Sequence, residues 1–161
     1  KNPSLKMEIE QKGHMYISRP KKIRWNFQKP SEKSFISNGS SLWVWDPALN
    51  QAIKSTDLGD NDMMSLLEDL SSIDEHFEIE LAYETEDDFQ LRLKPKSEAS
   101  FRKLNLKFSK KNKILKSVEV EDAVGGEVDL QFTNLSFNPE LAPETFDFQP
   151  PEGAEVIDGA F

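Results

Sequence analysis

Residues 23–28 read I-R-W-N-F-Q, apolar and polar in strict alternation. A period of two puts Ile23, Trp25 and Phe27 on one face of a strand and Arg24, Asn26 and Gln28 on the other. The alternation returns at Phe77/Ile79/Leu81/Tyr83, Phe89/Leu91/Leu93, Leu104/Leu106/Phe108, Val118/Val120 and Val128/Leu130/Phe132. Turn formers separate these runs: Pro30-Ser31, Asn38-Gly39, Glu86-Asp87-Asp88, Lys110 to Asn112, and Gly125-Gly126. Asn-Gly and Gly-Gly accept the positive φ angles of a type I′ hairpin, so these two turns are the firmest hairpin signals. Roughly eleven strands joined by short turns predict one antiparallel meander that curls into an open or closed barrel.

Residues 60–76 break this rhythm. Met63, Met64, Leu66, Leu67, Leu70 and Ile73 recur at three- and four-residue spacing, which makes an apolar helical stripe. Ser72 with Glu75 fits a capping box, so a second short helix is expected there. The fold class predicted is mainly β with one helical insertion between two strands. Pattern alone leaves that helix equally suited to a core plug or a mobile lid. Pro150-Pro151-Glu152-Gly153 is expected to end regular structure, because proline donates nothing to a ladder.

A chain of 161 residues is one domain's worth of sequence. Its 29 acidic and 20 basic side chains leave a net charge of -9. That balance argues against binding nucleic acid or anionic membranes. The small basic clusters Lys21, Lys22, Arg24 and Lys110, Lys111, Lys113 read as solvated edges or turns. No apolar run reaches the ~18 residues of a membrane-spanning helix. The absence of cysteine excludes disulfides, thiolate catalysis and cysteine-based metal sites.

Candidate chemistry is sparse. His14 and His76 stand far apart in no metal-ligand spacing, so no metal or other cofactor is expected. The acidic pairs Glu68/Asp69, Asp74/Glu75 and Glu119/Glu121 read as solvated positions, and no nucleophile elbow or phosphate loop occurs. The reading is of a protein that is not an enzyme. Its three Trp, two Tyr and eleven Phe are the unusual feature. Trp43 and Trp45 share one strand face in L-W-V-W-D-P. An apolar sheet face under a helical cover encloses either a packed core or a hydrophobic cavity, and composition leaves both open.

These residues resemble the outer-membrane lipoprotein carrier family, LolA. The family's pattern is visible in G-H-M-Y-I-S-R-P-K-K-I-R-W-N-F (13–27) and S-N-G-S-S-L-W-V-W-D-P-A-L-N-Q-A (37–52). It continues in L-x-P-K (93–96), V-E-D-x-x-G (120–125) and F-D-F-Q-P-P-E-G-A-E-V-I (146–157), in order across nearly the whole chain. Asp62-Met63 replaces the family's Thr-Pro before the lid helix, and Trp45 stands where tyrosine is usual. The family's leading helix and strand are expected to be absent from this chain.

The resemblance implies a single carrier domain over residues 1–161, an incomplete antiparallel barrel covered by a helical lid. It implies a periplasmic, monomeric chaperone without catalytic activity. Its ligand would be the acyl chains of lipoproteins, received from an inner-membrane lipoprotein-releasing ABC transporter complex and passed to the outer-membrane receptor LolB. The expected lining is Met15, Ile17, Ile23, Trp25, Phe27, Trp43 and Trp45, with Met63, Met64, Leu67 and Leu70 beneath the lid. Ile23 is expected at the cavity mouth, and Arg24 and Asn26 outside. By strand parity Arg19 falls on the face of Met15 and Ile17; in the family, the arginine of the Arg-Pro pair hydrogen-bonds the lid backbone and latches the empty cavity. Two other functions fit the same residues: the lipid-anchored receptor LolB, and a general fatty-acid or isoprenoid-binding module.

Overall fold

The computed structural model of the chain describes residues 9–56, 73–97, 99 and 101–159. Among the described residues eleven strands follow in order: β1 (Gly13–Ser18), β2 (Lys22–Phe27), β3 (Ser34–Asn38), β4 (Leu42–Asp46), β5 (Gln51–Ser55), β6 (Phe77–Glu84), β7 (Asp88–Pro95), β8 (Phe101–Ser109), β9 (Leu115–Asp122), β10 (Glu127–Gln131) and β11 (Glu155–Asp158). A single α-helical turn, α1 (Ile73–His76), precedes β6, where the second short helix is expected. The helical stripe of residues 60–72 lies outside the described residues.

The strands form two sheets rather than one continuous meander. Each falls in its own compact unit, Glu10–Glu68 with Pro139–Phe161, and Lys1–Ile9 with Asp69–Asn138. The first sheet has the order β1-β2-β3-β4-β5-β11, and β11 runs parallel to β5. This corrects the expectation that regular structure stops at Pro150. The prolines end nothing beyond themselves: four residues past Pro151 the chain is again extended, with the Glu155 amide donating to the Asn50 carbonyl at 2.9 Å. The second sheet, β10-β9-β8-β7-β6, is an antiparallel meander throughout.

Register in the second sheet follows from its alternation. Ile79 stands opposite Leu93, Leu93 opposite Leu104, Leu104 opposite Val120 and Val120 opposite Val128. These partners share one face, on which Leu93, Leu104, Leu106, Val118 and Val120 are buried. Phe77 stacks on Phe101 and Phe89 on Phe108, at 6.1 and 5.2 Å between ring centroids. Each side chain of this kind contributes about 1.5–3 kcal/mol when fully removed from water. A bulge between Leu81 and Tyr83 turns Tyr83 to the polar face, where Lys107 lies 5.8 Å from its ring centroid.

That polar face is a ladder of ion pairs. Lys116 and Lys107 reach Asp88 at 2.9 and 3.5 Å, and Lys103 reaches Glu121 at 2.7 Å. Lys116 is the main reason that the Asp88 carboxyl is held below the usual carboxylate range, and Lys103 does the same for Glu121. Lys107 is raised, first by the Tyr83 oxygen and then by Asp88.

Neither expected type I′ turn forms. Gly39 and Gly125 adopt positive φ (92° and 87°), but their neighbours Asn38 and Gly126 do not. A preceding side chain closes each turn instead. Asn38 Oδ1 accepts from the Ser40 and Ser41 amides at 2.9 and 3.0 Å, and Asp122 Oδ1 accepts from Val124 and Gly126 at 2.8 and 2.7 Å.

Candidate functional site

The six-stranded sheet presents the apolar residues singled out by alternation, and register decides which of them share a face. Met15 pairs with Trp25, Trp25 with Phe35, Phe35 with Val44 and Val44 with Ile53. One row of apolar side chains therefore crosses five strands. Ile17 and Ile23 form the next row toward the β1–β2 turn. The rings interlock along the sheet: Trp25 lies 4.6 Å from Phe27, and Phe27 meets Phe35 edge-on at 5.9 Å. Most of this face is only half-buried. Ile17 is 44% exposed, whereas Ile23 is 6% exposed and anchors the face to the body of the sheet.

Gly13 opens this surface and has a steric reason to be glycine. It stands opposite Phe27, and a Cβ there would run into the Asn26 carbonyl oxygen. β1 lies that close to β2 only without a side chain at the entry.

Trp43 and Trp45 are not part of this surface, which corrects the expected lining. Trp43 pairs with Ile36, and Ile36 with Arg24, so both tryptophans occupy the face opposite Trp25. The chain's own C-terminal segment fills that second face. A 3-10 turn at Pro143–Phe146 lies against β2 and β3 and buries Phe146. Phe148 packs at 5.5 Å from Trp43 and 5.9 Å from Trp45, and Lys54 sits over the Trp43 ring. Arg24 and Asn26 are accordingly half-buried rather than outside. Arg24 donates to the Thr145 carbonyl and to Asn26 Oδ1, both at 3.1 Å.

The Asp-Pro of L-W-V-W-D-P has a local role. Asp46 Oδ1 accepts from the Ala48 and Leu49 amides at 3.0 and 3.2 Å, closing the β4–β5 turn. Lys33, 3.1 Å away, is the main reason that its carboxyl is held below the usual range.

Arg19 follows the end of β1, is exposed, and makes no hydrogen bond or ion pair among the described residues. Met63, Met64, Leu67 and Leu70 lie outside the described residues. Phe35, Val44 and Ile53 belong to the apolar row and were missed from sequence. Their signal was available, since a two- or four-residue loop at Asn38-Gly39 sets Phe35 opposite an even-numbered residue of β4. Among the described residues no three His, Asp or Glu side chains converge as metal ligands.

A sheet that fills one face with its own chain and carries an unbroken apolar row on the other is suited to holding a hydrophobic ligand. The comparisons narrow this class. The chain belongs to the LolA family: residues 2–149 match the family described as outer membrane lipoprotein carrier protein LolA. It is similar to the outer-membrane lipoprotein carrier protein of Azotobacter vinelandii, 34% identical over 151 residues, 92% of this chain and 72% of that protein. The carrier protein of Pseudomonas syringae pv. tomato is 35% identical over 152 residues, with 92% and 72% covered. That of Methylobacillus flagellatus is 32% identical over 152 residues, with 92% and 73% covered. The family is one of carrier chaperones and not of enzymes.

Proposed function

We propose that this chain carries acylated lipoproteins through the periplasm and shields their acyl chains on the Trp25 face of the six-stranded sheet. The observation that carries the reading is the apolar row Met15, Trp25, Phe35, Val44 and Ile53, with Ile17, Ile23 and Phe27 beside it, in a chain of this family. Each methylene hidden from water is worth about 0.8 kcal/mol, so a long acyl chain demands a continuous apolar surface. The incomplete barrel, the lid of Met63, Met64, Leu67 and Leu70, and a single monomeric carrier domain over residues 1–161 belong to this proposal and rest on family membership. So do loading from an inner-membrane lipoprotein-releasing ABC transporter complex and delivery to the receptor LolB. Native mass spectrometry of the protein recovered from periplasm tests the cargo. A bound intact lipoprotein supports the carrier; a free fatty acid or isoprenoid supports a general lipid-binding module instead.

Arg19 is the proposed latch. Hydrogen bonds from its guanidinium to lid carbonyls, each worth roughly 1.5–3 kcal/mol, would favour the empty closed state and so weaken cargo binding by linkage. Arg19→Leu is expected to fold, accept lipoprotein and hand it to receptor more slowly than wild type in a timed transfer assay. Arg19→Lys should recover only part of the rate, because a point charge lacks the planar fork of donors. Transfer from Arg19→Leu at the wild-type rate removes the latch.

A further inference from the structure

The first hairpin reverses the sign of the molecule. Residues 11–31 hold six cations, Lys12, Arg19, Lys21, Lys22, Arg24 and Lys29, and no Asp or Glu, in a chain of net charge -9. Six of the twelve other described cations meet an acidic partner: Lys33 on Asp46, Arg92 on Glu80, Lys103 on Glu121, Lys110 on Glu84, and Lys107 and Lys116 on Asp88. The second basic turn, around Lys110 to Lys113, lies against the acidic β6–β7 turn, with the Lys110 amide donating to the Asp87 carbonyl at 2.8 Å. Among the described residues no acidic turn faces the first hairpin in the same way. Arg24 is engaged by Asn26 and Thr145 and Lys12 by Glu10, but Arg19, Lys21 and Lys22 are exposed with no ion pair among the described residues.

The turn that displays these three cations is held in place. Ser37 Oγ donates to the Lys21 carbonyl at 2.8 Å and accepts from the Gly39 amide at 3.2 Å, tying the β1–β2 turn to the β3–β4 turn. Immediately behind it on the edge strand, Tyr16 and Ile17 are 37% and 44% exposed. Cations at a tip with an aromatic and an aliphatic side chain behind them match the layering of a bilayer surface, charged headgroups outermost and the apolar boundary beneath.

We propose that the tip of the β1–β2 hairpin docks on anionic phospholipid headgroups, through Arg19, Lys21 and Lys22, with Tyr16 and Ile17 reaching the interface below. Each Lys or Arg near such a surface strengthens binding about fivefold, while the rest of this acidic chain is repelled. The contact is therefore weak, oriented tip-first and lost at high salt. It shares Arg19 and Ile17 with the carrier reading, so its test changes only Lys21 and Lys22 of the tip.

Vesicle sedimentation of the whole chain tests this, with phosphatidylglycerol and phosphatidylcholine in equal parts against phosphatidylcholine alone. The wild type is expected to bind the anionic vesicles selectively at low salt and to detach as salt rises. The double variant Lys21→Glu/Lys22→Glu should lose roughly 25-fold or more in affinity. Lys111→Glu/Lys113→Glu makes the same change in net charge and should stay within about twofold of wild type, because the acidic β6–β7 turn lies against that turn. Arg19 is left intact, so failure of the latch and failure of docking are read separately. No selectivity between the vesicles, equal losses in the two double variants, or preferential capture of soluble polyglutamate overturns the proposal. Should Lys21→Glu/Lys22→Glu fail to fold by circular dichroism, the lipid and salt dependence of the wild type decides alone.

Discussion

The two sheets are made of strands with similar alternation, yet they treat their faces differently. In the five-stranded sheet the central apolar residues are dry, with Leu93 and Leu104 at 0% exposure, and the opposite face pairs its charges through Asp88 and Glu121. In the six-stranded sheet the deepest apolar residues, Ile36 and Ala52, lie on the face opposite Trp25, while the row through Met15, Trp25 and Phe35 stays half-buried. One sheet spends its hydrophobicity on stability; the other keeps a share for a ligand. Apolar surface of the same chemistry serves either end, depending on what lies over it.

Truncation of one residue in each sheet breaks or upholds this contrast. Leu104→Ala should cost about 2–5 kcal/mol in chemical denaturation, because a filled site becomes a cavity. Trp25→Ala removes a larger side chain that is only part-buried, so the vacated space opens to water and the change should cost less than Leu104→Ala. It should instead weaken cargo binding. A Trp25→Ala chain as unstable as Leu104→Ala would make the Trp25 face ordinary core.

The two faces of the six-stranded sheet can be told apart by light. With Trp43→Phe and Trp45→Phe in place, the remaining Trp25 should be strongly quenched by a lipoprotein bearing brominated acyl chains. With Trp25→Phe instead, Trp43 and Trp45 should be quenched little, because Phe148 covers them. The reverse pattern would move the ligand to the other face.

The smallest effect concerns acid. Asp88 and Glu121 are held below the usual carboxylate range in the folded chain, by Lys116 and Lys103 foremost. A depressed folded value means that their stabilisation is complete above the unfolded value and is lost as pH falls through the folded one. Asp88→Asn/Glu121→Gln should therefore be slightly less stable than wild type at neutral pH, and the two stability curves should converge in acid. Exposure and salt keep this difference modest. Curves that stay parallel to low pH would show that the ladder adds nothing through ionisation.

Much of the fold was legible in the chain. Alternation located the strands, and the parity of Ile23, Trp25 and Phe27 holds in the register with Met15 and Phe35. Face assignment failed at β4, where L-W-V-W is apolar on both sides and local pattern carries no preference. Only the chain of pairings through β3 separates Trp43 from Trp25. The partner of Arg24 was out of reach for a different reason: Thr145 lies 121 residues away, and no local rule brings the two together. The Asp-Pro and Asn-Gly motifs were visible as turns, but the side-chain closure that makes them was not.

The parallel pairing of β11 with β5 also sets an order of assembly. Gln51 and Glu155 are bonded across 104 residues, whereas every strand of the other sheet pairs with its sequence neighbour. Non-local pairing pays its loop-closure entropy before any contact repays it, so it forms late. In a chain that emerges N-terminus first, the five-stranded sheet can complete while the outer edge of β5 is still open. That bare edge is a template for any passing strand until residues 155–158 arrive. The last short strand is thus the step that ends the molecule's exposure to misassembly.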